Sequence, residues 1–335
     1  MTRNVIISLI LALLATVATA EPRILSMKER AAVIDQWLET RAQTVLPTLM
    51  RRAGIDMWVI VSREYNEDPV IKTMLPSTWF AARRTTILLI HDRGEGEPLE
   101  TLSVSRYAVG ELFTGAWNKE EDGEQWAHLG KLIAERDPQR IGLNYSVNFP
   151  LADGISHTEF ELFMSAIPAE LQERVVSAEE LAVGWLETRT PEEMVVYQQI
   201  VRIAHEIIAE GLSDRVVQPG VTTTDDVEWW YRDRIRELKL TTWFHPSVSI
   251  DRAEAPETTM SDWTLGRYET DVIMPGDLIH VDFGIKYLRL NTDTQQNAYV
   301  LRPGETDAPD DLRQALANAN RLQDILTGQF ETGKT

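Results

Sequence analysis

The sequence predicts an α/β layered unit followed by a second, α+β unit, and three observations carry that reading. Up to Leu181 short apolar runs suited to buried strands alternate with helical stretches, the rhythm of an α/β layer. Thr190-Pro191-Glu192-Glu193 then opens a new long helix, and residues 278–301 read as two extended arms, each with a carboxylate. At 335 residues the chain is long enough for two domains, each burying its own core.

In chain order, the first twenty residues read as a secretory signal. Arg3 is the positive start, Val5 to Leu14 an almost unbroken apolar run, and Ala18-Thr19-Ala20 a small-residue cleavage site. The apolar run is short for a membrane span of ~30 Å, so an exported protein, periplasmic or secreted and not membrane-bound after cleavage, is expected. From Met27 to Arg52 apolar residues recur at helical spacing, and Gly54 offers a left-handed stop. Strands follow at Met57 to Val61, Thr86 to Ile90, Leu99 to Val104 and Arg140 to Leu143. The pattern breaks over Leu181 to Arg189, which places a boundary near residue 188 and domains at 21–188 and 189–335. In the second, Thr190 caps a helix with Pro191 in its first turn and Glu193 completing a capping box. Pro219-Gly220 ends the connection, and a further helix runs from Thr222–Thr224 through Leu238.

Composition excludes several chemistries. A net charge of −19 repels phosphate backbones, so nucleic acid is not an expected partner. With no cysteine there are no disulfides, thiolate metal sites or cysteine nucleophiles, and any catalysis must run on oxygen and nitrogen ligands. No GxSxG elbow, P-loop or HExxH occurs.

The most informative stretch is Met274-Pro275-Gly276-Asp277 to Phe283-Gly284, followed by Asn291-Thr292-Asp293-Thr294 and the apolar Ala298 to Leu301. Pro275-Gly276 is a turn, Leu278 to Phe283 a strand, and Asp293 to Leu301 the next, closed by Pro303-Gly304. An ionised carboxylate in an apolar strand needs a cation or a set of donors, because burial of an unpaired charge costs several kcal/mol. Asp282 and Asp293 on paired strands can converge on hard divalent ions. Either one alone can instead cap a turn or bond its own backbone. His280 shares a strand face with Asp282 and is either a neighbour of that site or a cross-strand packing residue. His205 is either a surface residue of its helix or a ligand. Trp229-Trp230-Tyr231 either lines an apolar groove or divides between core and surface.

Gly-Asp-Leu-x-x-x-Asp-Phe-Gly, seven residues, then Thr-Asp resembles the metal-binding hairpin of the pita-bread metallopeptidases: methionine aminopeptidase, Xaa-Pro aminopeptidase and prolidase. The helix starts at Thr190 and Thr222 resemble the opening of their catalytic domain. The first half resembles the N-terminal domain of Xaa-Pro aminopeptidases and creatinase. The resemblance implies an α/β N-terminal domain, then an α+β pita-bread domain, and a peptidase removing N-terminal residues from peptides, with Xaa-Pro specificity resting on the N-terminal half. It implies two divalent ions (manganese, cobalt or zinc), with Asp282 on one and Asp293 bridging both, and a homodimer. The family adds a histidine and two glutamates after these aspartates, whereas no histidine follows His280. The pita-bread domain is therefore expected to be incomplete, the chain truncated, and the dinuclear site unable to assemble.

Two further departures stand. The family's substrate-binding histidine would fall in Trp263 to Arg267, which has none, leaving His245 in Phe244-His245-Pro246 as the candidate catalytic residue or a structural loop histidine. Gln295-Gln296 stands where the family commonly carries Thr-Arg, removing a charge next to the metal ligands. The alternatives to a peptidase are a non-catalytic peptide-binding or interaction protein of the same fold, and a creatinase-like hydrolase working without metal.

Overall fold

The run Met57-Trp58-Val59-Ile60-Val61 carries no polar alternation because both faces of its strand are covered. Trp58 and Ile60, with Leu88 and Ile90 of the neighbouring strand, face one core, while Met57, Val59, Val61, Ile87 and Leu89 face another. A strand enclosed on both sides reads as a continuous apolar run. Full burial of each such side chain stabilises the fold by about 1.5–3 kcal/mol.

The computed structural model describes residues 24–252 and 272–333. The expected leader over residues 1–20 and the Trp263–Arg267 stretch lie outside the described residues. The first sheet has six strands: β1 (Met57–Arg63), β2 (Thr85–His91), β3 (Glu100–Ser103), β4 (Thr114–Gly115), β5 (Ile141–Leu143) and β6 (Val175–Ser177). Their order is β4-β3-β2-β1-β5-β6, with β1 antiparallel to β2 and parallel to β5. Eight helices surround it: α1 (Met27–Thr44), α2 (Leu46–Ala53), α3 (Pro69–Met74), α4 (Lys119–Asp122), α5 (Gln125–Arg136), α6 (His157–Ala166), α7 (Ala169–Gln172) and α8 (Glu179–Glu187). The mixed α/β layer expected from the sequence is what these residues form.

Two expectations are corrected here. The single helix expected over Met27–Arg52 divides at Val45, because Pro47 lies in the first turn of α2 and has no N–H to continue the ladder. The second half ends at Gly54 as expected, with a left-handed φ of 63°. Residues 181–189, expected as a break, are mostly helical: α8 is apolar around much of its circumference and so shows no amphipathic period. Gly184 lets α8 lie against α2, since a Cβ there would sit 3.0 Å from Leu49 Cδ2.

The chain continues through α9 (Pro191–Gly211), α10 (Thr224–Glu237), β7 (Ser247–Asp251), β8 (Leu278–Phe283), β9 (Lys286–Tyr287), β10 (Leu290–Asn291), β11 (Thr294–Tyr299) and α11 (Asp310–Thr327). Thr190 caps α9 and Glu193 returns the bond to the Thr190 N–H at 2.7 Å, the capping box read from the sequence. Strands β7, β8 and β11 form an antiparallel sheet in the order β11-β8-β7. One face of β8 (Ile279, Val281, Phe283) enters a core with Ile200, Ile207 and Tyr231 from α9 and α10. The two hairpin arms therefore pair as expected, with a smaller hairpin, β9–β10, at their tip. Helix α11 buries none of its side chains.

Polar ties join the two parts. Arg41 of α1 donates to Glu193 Oε2 at 2.9 Å, both side chains being buried, and also to the carbonyls of Thr188 and Trp185. Arg289, at the β9–β10 turn, donates to the carbonyls of Thr73 and Leu75 at 2.9 and 2.8 Å.

Candidate metal centre

The register of the small sheet assembles the site. Ser247, Asp282 and Gln295 stand opposite one another across β7, β8 and β11, and Ser249, His280 and Asn297 form the next row. Because side chains alternate, these rows share the face of the sheet turned away from the α9–α10 core. The alternating burial of β8, with Leu278, His280 and Asp282 half-buried, records that division.

Asp282 is the perturbed group on this face. Its Oδ1 is buried without a hydrogen-bond partner among the described residues. Burial, and then the negative charge of Asp293 against it, push its carboxyl above the ordinary range, opposed by His280 and by the Phe283 N–H. Asp293 itself is exposed, just before β11. Two carboxylates in contact, one with an orphaned oxygen, form an arrangement that a cation resolves.

The backbone that carries Asp293 is held firmly. The Trp243 indole N–H donates to the Thr292 carbonyl at 2.9 Å, and the Thr292 hydroxyl accepts the Ile285 N–H at 3.0 Å. Gly284 is required where these segments cross: a Cβ there would lie 2.5 Å from both Thr292 O and Phe244 Cε1. This accounts for the glycine of Asp282-Phe283-Gly284 as a close-approach position. At the other end of β8, buried Asp277 accepts both arms of Arg252 at 2.8 and 2.9 Å and the Met274 N–H at 2.7 Å. Burial opposes ionisation there, but these donors outweigh it and hold the Asp277 carboxyl below the ordinary range.

His245 lies two residues before Ser247, the residue opposite Asp282. Its Nε2 is 3.4 Å from Glu228 Oε2, its Nδ1 is 3.1 Å from Arg232 Nη1, and its ring lies 5.3 Å from that of Trp229. His280 reaches across the sheet, with Nε2 at 3.4 Å from Gln295 Oε1. Of the aromatic run, Trp229 is exposed, Trp230 is partly buried and Tyr231 is fully buried, so it divides between surface and core. His205 is exposed on α9. Sequence reasoning missed β7, whose Ser-Val-Ser-Ile alternation was the available signal, and with it Ser247 and Ser249 beside the carboxylates.

Asp282 and Asp293 fit as part of the oxygen shell of a divalent ion. No group of three or more His, Cys, Asp or Glu that could hold a metal occurs among the described residues. No helix among them is long and apolar enough to cross a membrane.

No protein-family model matches the sequence. No curated protein matches it either. Solved structures do. The X-Pro aminopeptidase of Thermotoga maritima superposes with a TM-score of 0.56 at 17% identity, over 83% of this chain and 70% of its own. A Bacillus anthracis protein assigned as an aminopeptidase P gives 0.54 at 8% identity, over 80% and 65%. At these identities the likeness is one of architecture, and the fold that these residues build is that of the X-Pro aminopeptidases.

Proposed function

We propose that this sequence belongs to an exported dinuclear-metal peptidase that removes N-terminal residues from peptides, with a preference for Xaa-Pro substrates. The observation that carries the reading is the Asp282–Asp293 pair, with its orphaned Oδ1, on the open polar face of the β7–β8–β11 sheet. In this proposal Asp282 and Asp293 would hold the ions, and the fold shared with X-Pro aminopeptidases supports the substrate class. Residues 1–20 are the leader, residues 21–188 an N-terminal α/β domain, and residues 189–335 the pita-bread portion. The protein works as a homodimer in the periplasm or outside the cell.

Divalent ions at such a site lower the pKa of water toward neutrality and polarise a peptide carbonyl. The chain's own residues do the positioning. Trp243 and Thr292 fix the backbone before Asp293, the β8 ladder fixes Asp282, and His245, held by Glu228 and Arg232 two residues before Ser247, is the histidine that would contact the substrate. The hydrolytic activity is assigned to a chain that also carries the histidine and two glutamates of the pattern. A second reading, a non-catalytic peptide-binding protein, draws on Gln295, an uncharged side chain directly opposite Asp282 that engages His280.

Two measurements test the peptidase reading. Binding of Mn²⁺, followed by loss of its free-ion resonance, is expected for this chain and is expected to be lost in both Asp282→Ala and Asp293→Ala. In the protein with the complete ligand set, the same substitutions should abolish release of the first residue from Xaa-Pro peptides. Activity that survives both substitutions, or survives chelation, overturns the proposal.

A further inference from the structure

A second candidate site lies away from the carboxylate pair, in a cavity of about 500 Å³ enclosed by α1, α3, α8, the start of α9 and the β9–β10 hairpin. In a chain of net charge −19, its lining carries five cations (Arg41, Lys72, Arg189, Lys286 and Arg289) and a single carboxylate, Glu193. Trp37, Trp185, Leu288 and Leu290 supply apolar wall.

Of the five cations, Arg41 alone is paired with a carboxylate of the lining. Glu193 is engaged by Arg41, which also stacks over the Trp185 ring at 4.4 Å. Arg189 donates through Nη1 to the Leu186 and Thr188 carbonyls, and Arg289 through Nη1 and Nη2 to those of Thr73 and Leu75, all neutral acceptors that leave both charges uncompensated. Asp35, the carboxylate whose charge Arg289 feels, is occupied by the Ser77 N–H and hydroxyl at 2.7 and 2.8 Å. Lys72 and Lys286, exposed at the rim, pair with no carboxylate among the described residues. Burial lowers the pKa of both Arg41 and Arg289, the signature of positive charge held in a poorly solvated place. Positive charge without a carboxylate partner, in a partly desolvated place and with N–H groups still able to donate, is the condition under which an incoming anion gains most.

From this geometry we infer that the cavity binds a small amphiphilic carboxylate, its acid group among the Lys72, Lys286, Arg189 and Arg289 charges and its aromatic or branched aliphatic body against Trp37, Trp185 and the β9–β10 leucines. A volume of this size matches a ligand pocket rather than a packing defect. The inference is independent of the metal reading, since none of these residues belongs to the carboxylate pair.

Calorimetric titration of the full chain with 4-phenylbutyrate tests it, with 4-phenylbutyramide and acetate as controls. Saturable one-to-one binding of phenylbutyrate is expected, with the amide and acetate each weaker by about tenfold or more. The double variant Lys72→Glu/Lys286→Glu, altering exposed rim residues only, should weaken phenylbutyrate binding by at least about tenfold with an unchanged far-ultraviolet circular dichroism spectrum. Should charge reversal disturb folding, Lys72→Gln/Lys286→Gln is expected to give a loss of about threefold or more. An amide that binds as well as the acid removes the role of charge, and acetate binding as well as phenylbutyrate removes the role of the apolar walls. Either result overturns the inference, as does the absence of saturable binding or undiminished affinity in a folded rim variant.

Discussion

Asp282→Asn should make the metal-free chain more stable while removing its response to divalent ions. In the wild type, Asp282 pays for partial burial and for contact with the Asp293 carboxylate. Two like charges about 4 Å apart repel by about 1 kcal/mol in water and about 4 kcal/mol at the effective dielectric of a protein surface. Asp282 is half-buried and Asp293 exposed, so the lower end applies. An amide at position 282 can also donate to Asp293, and a net gain of about 1 kcal/mol is expected. Added Mn²⁺ acts oppositely. At ten times its Kd, an ion that binds only the folded state stabilises by RT ln 11, about 1.4 kcal/mol, or about 0.5 M in urea midpoint at a slope of about 3 kcal/mol/M. Urea titrations followed by tryptophan fluorescence, with and without Mn²⁺, read both effects. The wild type should gain with the ion, and the variant should start higher and gain nothing. The variant's advantage carries a pH signature. A carboxyl whose folded pKa is raised destabilises the fold above that pKa, and the penalty disappears as the pH falls through it toward about 4. The difference between the two proteins should therefore shrink on acidification. A metal-free variant less stable than wild type, or one that keeps its Mn²⁺ response, refutes the reasoning.

Glu193→Ala removes the partner of buried Arg41 and the acceptor for the Thr190 N–H, and should cost about 3–5 kcal/mol in chemical denaturation. Thr190→Ala, which loses only the cap, should cost about 1 kcal/mol, and equal losses would deny the ion pair its role. Gly211→Ala places a Cβ 2.3 Å from the ring of Tyr231, whose hydroxyl is anchored on the Ile208 carbonyl, so overpacking should cost up to about 3 kcal/mol and alter the near-ultraviolet circular dichroism spectrum. The bidentate hydrogen bonds of Arg136 hold the Glu100 carboxyl below its ordinary range. That stabilisation is present above the unfolded pKa of about 4.3 and is lost as the pH falls through the folded value. Arg136→Gln should flatten this part of the acid titration of stability by about 0.5 kcal/mol, the pair being partly solvated.

The legible parts of the fold were those in which one local rule decides the outcome. Thr190-Pro191-Glu193 specifies a helix start with its own hydrogen bonds, and β8 came out with the bounds read from Leu278 to Phe283. Both are enforced within a few residues. The parts that escaped depend on partners distant in sequence. Helix α8 has no amphipathic period because it is covered on several sides, by α2 and α3 among others. Strand β7 hid behind Phe244-His245-Pro246, since its two serines are placed only by pairing with β8.

The site divides along the same line. The sequence could say that Asp282 is anomalous, because a carboxylate in an apolar strand is costly wherever it stands. It could not say which groups surround it, because those come from Ser247 across one ladder, Gln295 across the other and Asp293 beyond a ten-residue excursion. That excursion is more than a connection. Its β9–β10 tip carries Lys286, Leu288, Arg289 and Leu290 into the cationic cavity, while its ends carry Asp282 and Asp293 into the anionic pair. One short segment thus separates two sites of opposite sign, and Gly284, pressed against Thr292 O, holds the crossing between them closed. A side chain at Gly284 is therefore expected to disturb both sites together, whereas substitutions at Asp282 or Lys286 should each disturb one.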